Sequence, residues 1–148
     1  MHIYISIGEQ KLRLFEGDAL VAEYVVSSAA NGIGFEEGSY CTPTGRFEVS
    51  EKIGDGEALG TIFKSRKPMA VWDGTASDDD MILSRILRLN GLDAENANSM
   101  DRYIYVHGTN QEDLLGGPAS CGCIRMANKD VIDLFDKIDV GVPLVIGY

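Results

Sequence analysis

Apolar and polar positions alternate along the first quarter of the chain. Ile3, Ile5 and Ile7 are separated by Tyr4 and Ser6, and Gly8-Glu9 follows as a turn. Lys11-Leu12-Arg13-Leu14-Phe15 repeats the pattern before Gly17-Asp18, and Leu20 to Ser27 forms a third run rich in Val and Tyr. A period of two interrupted by glycine-containing turns predicts antiparallel hairpins. Residues 29–45 carry Gly32, Gly34, Gly38, Pro43 and Gly45 and read as loop, after which Arg46 to Lys52 resumes a strand. Residues 54–80 mix Gly, Asp and short apolar runs, and Asp78-Asp79-Asp80 reads as a solvated acidic loop. Met81 to Leu89 is read as a strand, and so is Asp101 to Val106, which ends at His107.

The period changes once. Val131, Leu134, Phe135 and Ile138 fall at i, i+3, i+4 and i+7, one face of a helix. Asn128 is placed to cap it, Asp130 sits in its first turn, and Gly141 lies beyond its end. Leu144-Val145-Ile146 then closes the chain as a strand. Many short strands and one helix predict a mainly β fold: an antiparallel β-sandwich or curled sheet, with the helix near the C-terminus covering one side.

Composition narrows the picture. A chain of 148 residues with 45% hydrophobic and 24% charged residues suits a single domain, residues 1–148, around one core. The net charge of −10 repels phosphate backbones, so nucleic acid is not an expected partner. An anionic substrate would need a local Arg or Lys. No apolar run reaches the length of a membrane span, so no membrane partner is expected. The opening Met1-His2-Ile3-Tyr4-Ile5 lacks a basic stretch followed by a longer apolar one, which gives a cytoplasmic expectation; the alternative is a periplasmic protein whose export signal has been removed. Three cysteines, Cys41, Cys121 and Cys123, do not make a secreted disulfide framework and fit a reducing compartment.

The segment richest in chemistry runs from Tyr103 to Met126. A strand delivers His107-Gly108-Thr109, and a loop with Gly116, Gly117 and Pro118 leads to Ser120-Cys121-Gly122-Cys123-Ile124-Arg125-Met126. Acyl transfer needs a thiolate, a base beside it and donors for the developing oxyanion. Gly122 lets a backbone approach closely, and an imidazolium stabilises a thiolate. Taken alone, a cysteine and a histidine sixteen positions apart read first as a buried structural thiol and a hydrogen-bonded histidine at a strand end. A strained Cys121–Cys123 disulfide and a zinc site from His107, Cys41, Cys121 and Cys123 are further readings, each disfavoured by the spacing, so no metal and no cofactor is expected.

The motif as a whole resembles that of the L,D-transpeptidase catalytic domain (YkuD) family. There the nucleophile segment commonly reads Ser-His-Gly-Cys-(Ile/Val/Leu)-(Arg/Asn). Here Ser120 to Arg125 matches it except that Cys121 stands where the histidine is usual. Thr42-Pro43-Thr44-Gly45-Arg46-Phe47 resembles the family's Thr-Pro-x-Gly-x-Phe element, and the first strands and the tail are similar as well. The resemblance implies that Cys123 attacks a carbonyl to form an acyl-thioester and that His107 takes and returns the proton. It also implies that the Gly108 carbonyl orients the imidazole and that the Gly122 and Cys123 N–H groups form the oxyanion hole. Arg125 would hold the loop or bind a substrate carboxylate. Arg46 and Arg85 are further carboxylate candidates, and Ser120 and Cys121 further substrate contacts. Cys41 is read as a small residue packed beside the Thr-Pro-Thr-Gly turn.

The implied substrate is a peptidoglycan tetrapeptide, a muropeptide, attacked at the L-centre carbonyl of its third residue with release of D-alanine. Water as acceptor makes the chain an L,D-carboxypeptidase of muropeptide recycling, the expectation for a cytoplasmic enzyme. An amine from a second stem makes it a transpeptidase forming 3–3 crosslinks in the periplasm. A third reading, of another class, is a non-catalytic peptide-binding module on the same scaffold.

Overall fold

The alternation of the first hairpins is what lets the sheet close on itself. The computed structural model describes residues 1–148. In strands β1 (His2–Ser6) and β2 (Lys11–Glu16), Ile3, Ile5, Leu12 and Leu14 point inward and are buried, while their neighbours face out. The same parity continues through β3 (Ala19–Ser27), β4 (Gly45–Ile53), β7 (Ile82–Gly91), β8 (Tyr105–Gly108), β9 (Ile124–Met126) and β10 (Pro143–Gly147). Between β4 and β7, β5 (Thr61–Lys64) and β6 (Lys67–Val71) form a hairpin.

The strand order is β4-β10-β1-β2-β3-β9-β8-β7-β5-β6, and β4 also pairs with β7. Eight strands therefore close into a barrel-like ring, and β5–β6 extends from β7 as a flap. The mainly β class and the curled sheet are as expected. The sheet is mixed rather than wholly antiparallel, because β1 runs parallel to β10 and β8 parallel to β9.

Helix α1 (Asn128–Lys137) lays Val131, Leu134 and Phe135 against the ring's interior, and Ile138 follows just past its end. They join a cluster of 21 buried residues that includes Val106, Ile124 and Met126. Burying such side chains contributes roughly 1.5–3 kcal/mol each. Asn128 is not the cap. Ala127 occupies that position without a side-chain bond, and the Asn128 N–H donates instead to the Glu112 carboxylate at 2.7 Å. Glu112 belongs to a short 3-10 turn, Glu112–Leu114, and its negative charge meets the positive end of the helix.

Asp101 to Tyr103 is turn rather than strand, and β8 begins at Tyr105. The β5–β6 hairpin and β9 were not expected. β9 has only three residues, Ile124-Arg125-Met126, and a single apolar-polar-apolar step is too short to announce a strand.

Candidate active site

Strands β8 and β9 set the two candidate catalytic groups on one sheet face. Their parallel register pairs Val106 with Ile124 and His107 with Arg125. Alternation then sends Val106, Ile124 and Met126 into the main core and leaves His107 and Arg125 on the opposite face. Cys123 immediately precedes β9, so its side chain belongs to that same face, diagonally across from His107. There it packs against a second, smaller cluster of Phe63, Ile86 and Tyr105, with Phe63 supplied by the flap.

The imidazole is held in one orientation. His107 is 1% exposed, and its Nδ1 lies 2.6 Å from the Gly108 carbonyl oxygen. A carbonyl only accepts, so Nδ1 carries the proton and Nε2 is left as the basic nitrogen. Gly108 permits this close packing: a Cβ there would stand 2.5 Å from Asn128 Oδ1 and 2.6 Å from the Leu83 carbonyl. Asn128 is itself fixed, accepting from Ser84 Oγ at 2.6 Å and donating to the Thr109 carbonyl at 2.9 Å. Burial pushes the His107 pKa below its usual 6.5, and the Gly108 bond opposes this more weakly.

The thiol rests elsewhere than on the imidazole. Cys123 Sγ donates to the Tyr103 carbonyl at 3.3 Å and accepts from the Tyr105 N–H at 3.4 Å. Its apolar surroundings push its pKa up to about 12, with the Tyr105 N–H pulling the other way. Thiol and imidazole are therefore both neutral at rest, rather than a thiolate–imidazolium pair. They share an electrostatic environment: the charges of Asp80 and Arg125 act on both groups.

The loop before Cys123 is tied down from several sides. Thr42 Oγ1 donates to the Gly122 carbonyl and accepts from the Ala29 N–H, both at 2.9 Å, which gives the Thr-Pro-Thr-Gly element a physical task. Gly122 has φ +127°, a conformation that L side chains rarely adopt. Ser120 Oγ donates to the Cys123 carbonyl at 2.6 Å and accepts from the Gly122 N–H at 3.2 Å. Ser120 thus braces the loop. The Gly122 N–H is occupied, whereas the Cys123 N–H has no partner in the protein and is open to an oxyanion.

Arg125 is 3% exposed although it lies on the face away from the main core. It pairs with Asp80 at 2.9 Å and donates to Gln111 Oε1 at 2.9 Å. Asn110 and Gln111 also bond the carbonyls of Ser77 and Asp79. Arg125 and its neighbours thereby bolt the 77–81 loop beside His107, and Asp80 is an ion-pair partner rather than a freely solvated carboxylate. Arg46 lies apart from the site, paired with Asp93 at 2.8 Å. Arg85 is buried over the Phe135 ring, donating to the carbonyls of Glu57 and Ser84. Cys121 is exposed, all three cysteines are free thiols, and they do not converge with His107 into a metal-holding cluster.

Two clefts meet at Tyr103. One, of about 380 Å³, is lined by Ser65, Arg66, Ile82, Tyr103 and Tyr105. The other, of about 280 Å³, includes Glu37, Tyr40, Asp101, Arg102, Tyr103 and Cys121. The sequence pattern gave Arg66 no role and placed Asp80 in a solvated acidic loop, whereas Asp80 pairs with Arg125. The signal for Arg66 was present in Lys64-Ser65-Arg66-Lys67, three cations in four residues of a strongly acidic chain. Asp80 offered no local signal, because its partner lies forty-five positions away.

A family model described as the L,D-transpeptidase catalytic domain, YkuD, matches residues 1–146. YqjB of Bacillus subtilis (strain 168), a candidate L,D-transpeptidase, is 47% identical over 51 residues, 34% of this chain and 29% of that protein. An L,D-transpeptidase from Mycobacterium smegmatis superposes with a TM-score of 0.64 at 14% identity, covering 99% of this chain and 58% of that one. One from Xylanimonas cellulosilytica DSM 15894 gives 0.64 at 19% identity, covering 98% and 59%. L,D-transpeptidase 3 from Mycobacterium tuberculosis, in complex with a faropenem-derived adduct, gives 0.59 at 15% identity, covering 99% and 59%. At these identities the structures attest the fold, and the chain spans less than two thirds of the length of these relatives. With the family model covering all but its last two residues, the chain belongs to the L,D-transpeptidase catalytic domain (YkuD) family.

Proposed function

We propose that this chain is a cysteine acyltransferase of peptidoglycan stem peptides that completes its cycle with water, an L,D-carboxypeptidase acting on soluble muropeptides. The observation that carries the reading is the 2.6 Å bond from His107 Nδ1–H to the Gly108 carbonyl, which leaves Nε2 basic on the same sheet face as Cys123. In the first half-reaction Sγ leaves its Tyr103 and Tyr105 partners, its proton passes to Nε2, and sulfur attacks the carbonyl of the third residue. The Cys123 N–H receives the oxyanion. The carbon–nitrogen bond to the fourth residue then breaks as the imidazolium returns the proton to the departing amine. In the second half-reaction Nε2 takes a proton from water, the hydroxide attacks the thioester, and sulfur departs to recover a proton. Cys123 is only partly buried, so water has access to an acyl group carried there.

Crosslinking is the second reading, and the cleft beside Cys121 favours it. Glu37 and Asp101 line that cleft and suit an ammonium group approaching as acceptor.

Mass spectrometry of a defined tetrapeptide, incubated with the protein or with Cys123→Ala, tests both. Loss of one alanine mass supports hydrolysis, and a peptide dimer supports crosslinking. An intact peptide with wild-type protein overturns the enzyme reading. As an independent check, a penem should acylate Cys123 in a His107-dependent way. Equal labelling of Cys41, Cys121 and Cys123 would instead favour a peptide-binding module.

A further inference from the structure

In a chain of net charge −10, a cation left without a carboxylate beside the nucleophile carries information. Most of the others are engaged. Lys11, Arg13, Arg46, Arg88, Arg125 and Lys137 form ion pairs. Arg85, Arg102 and Lys52 are held by backbone carbonyls. What remains at the site is the turn between β5 and β6, which holds Lys64, Arg66 and Lys67 and no acidic residue.

That turn is sharply defined. Ser65 and Arg66 both have left-handed φ, +48° and +65°, the geometry of a tight two-residue hairpin loop. Neither is a glycine, so the loop holds mild strain to present the Arg66 side chain. The guanidinium donates Nη1–H to Tyr105 Oη at 3.2 Å and lies 5.8 Å from the Tyr103 ring centre. Its remaining N–H groups have no partner in the protein. Glu51, whose field reaches Arg66, is itself paired with Arg88 at 3.0 Å. Tyr103 and Tyr105, which wall the cleft, are also the residues whose backbone holds Cys123 Sγ.

We propose that Arg66 receives the C-terminal carboxylate of the peptide substrate, and that Lys64 and Lys67 draw that anion toward the cleft. The assignment rests on the reading above, in which the fourth residue of a tetrapeptide leaves. The terminal carboxylate sits one residue beyond the attacked carbonyl, a spacing of about 3.8 Å between Cα atoms. The guanidinium stands one tyrosine side chain away from the backbone that holds the sulfur. A small fourth side chain would lie between the two aromatic faces. The planar fork, with donors to spare, matches a carboxylate in two parallel bonds. Local attraction at such range outweighs the distant negative field, which salt screens over about 8–10 Å.

The test compares a tetrapeptide with a free C-terminus against the same peptide as its amide. Wild-type protein should prefer the acid by roughly 10- to 100-fold in kcat/KM, mostly through KM. Arg66→Gln should bring the acid-to-amide ratio to within twofold of one, and Arg66→Lys should keep an intermediate ratio. Calorimetric binding of both peptides to Cys123→Ala and to Cys123→Ala/Arg66→Gln reads the same ratio without turnover. Equal handling of acid and amide by wild type, or an unchanged ratio in Arg66→Gln, overturns the proposal. So does a discrimination that follows a side-chain carboxylate on the third residue instead. If neither peptide is cleaved while Cys123→Ala still discriminates, hydrolysis fails and the Arg66 assignment stands. Binding of neither peptide overturns both.

Discussion

The parallel pair β8–β9 and the β5–β6 flap border the same cleft and are built on opposite terms. Between β8 and β9 every side chain of the pair is buried: Val106, Ile124 and Met126 in the core, His107 and Arg125 behind it. The flap is an edge, and β6 is exposed along its whole length. In the first region the candidate catalytic groups are held by covalent geometry and by bonds to backbone. In the second, charged side chains reach from a strained turn and are answered only by a tyrosine hydroxyl. Reactivity requires orientation within a fraction of an ångström, and a closed ladder supplies it. Substrate choice tolerates a looser element, which an exposed hairpin supplies.

The sharpest way to break this contrast is at the base. His107→Gln should lower kcat/KM by roughly 10²- to 10⁴-fold in single-turnover assays. In the wild type, the acid limb of kcat/KM should fall below pH 6.5, because burial holds the imidazole neutral past its usual titration. An acid limb above 6.5 would mean that His107 is solvated. Next comes Gly108→Ala, which places a methyl against Asn128 and the Leu83 carbonyl and should cost about 3 kcal/mol in denaturant unfolding. A melt unchanged by that substitution would show that the strand pair has slack. Asp80→Asn comes third. It leaves the Arg125 guanidinium buried without its carboxylate, for a loss of about 2 kcal/mol. It also removes a charge that favours the imidazolium, so the acid limb should move lower still. The smallest effect belongs to the flap: Lys64→Gln/Lys67→Gln should change stability by less than about 0.5 kcal/mol and slow acylation only at low salt. A large stability loss there would erase the distinction between the two regions.

How much of this was legible in the sequence follows from range. The strands β1, β2 and β4, the face of α1 and the closing strand all announce themselves by local periodicity, because each buries one side against the core. The candidate nucleophile and base, Cys123 and His107, stood out in the sequence only through the motif that joins them. The chemistry of two residues sixteen positions apart is otherwise silent. What stayed hidden depends on contacts between distant segments. The capping carboxylate of α1 comes from Glu112 in a preceding turn, not from Asn128. Asp80 finds Arg125 across the sheet face. The flap strands carry Lys, Pro and Met on surfaces that no core sorts into a pattern. The role of Arg125 also needed three dimensions. Its sequence position allowed a carboxylate receptor, but its two terminal nitrogens are engaged by Asp80 and Gln111.

The resting place of the sulfur has a consequence for survival of the protein over time. A thiol kept protonated, engaged by two backbone groups and pressed against Phe63 and Ile86, is dormant toward peroxides and stray electrophiles, which consume thiolates. On the proposed mechanism, a ligand that displaces it from Tyr103 and Tyr105 would expose it to His107, so the same contacts that slow random chemistry would make reactivity conditional on an occupied cleft.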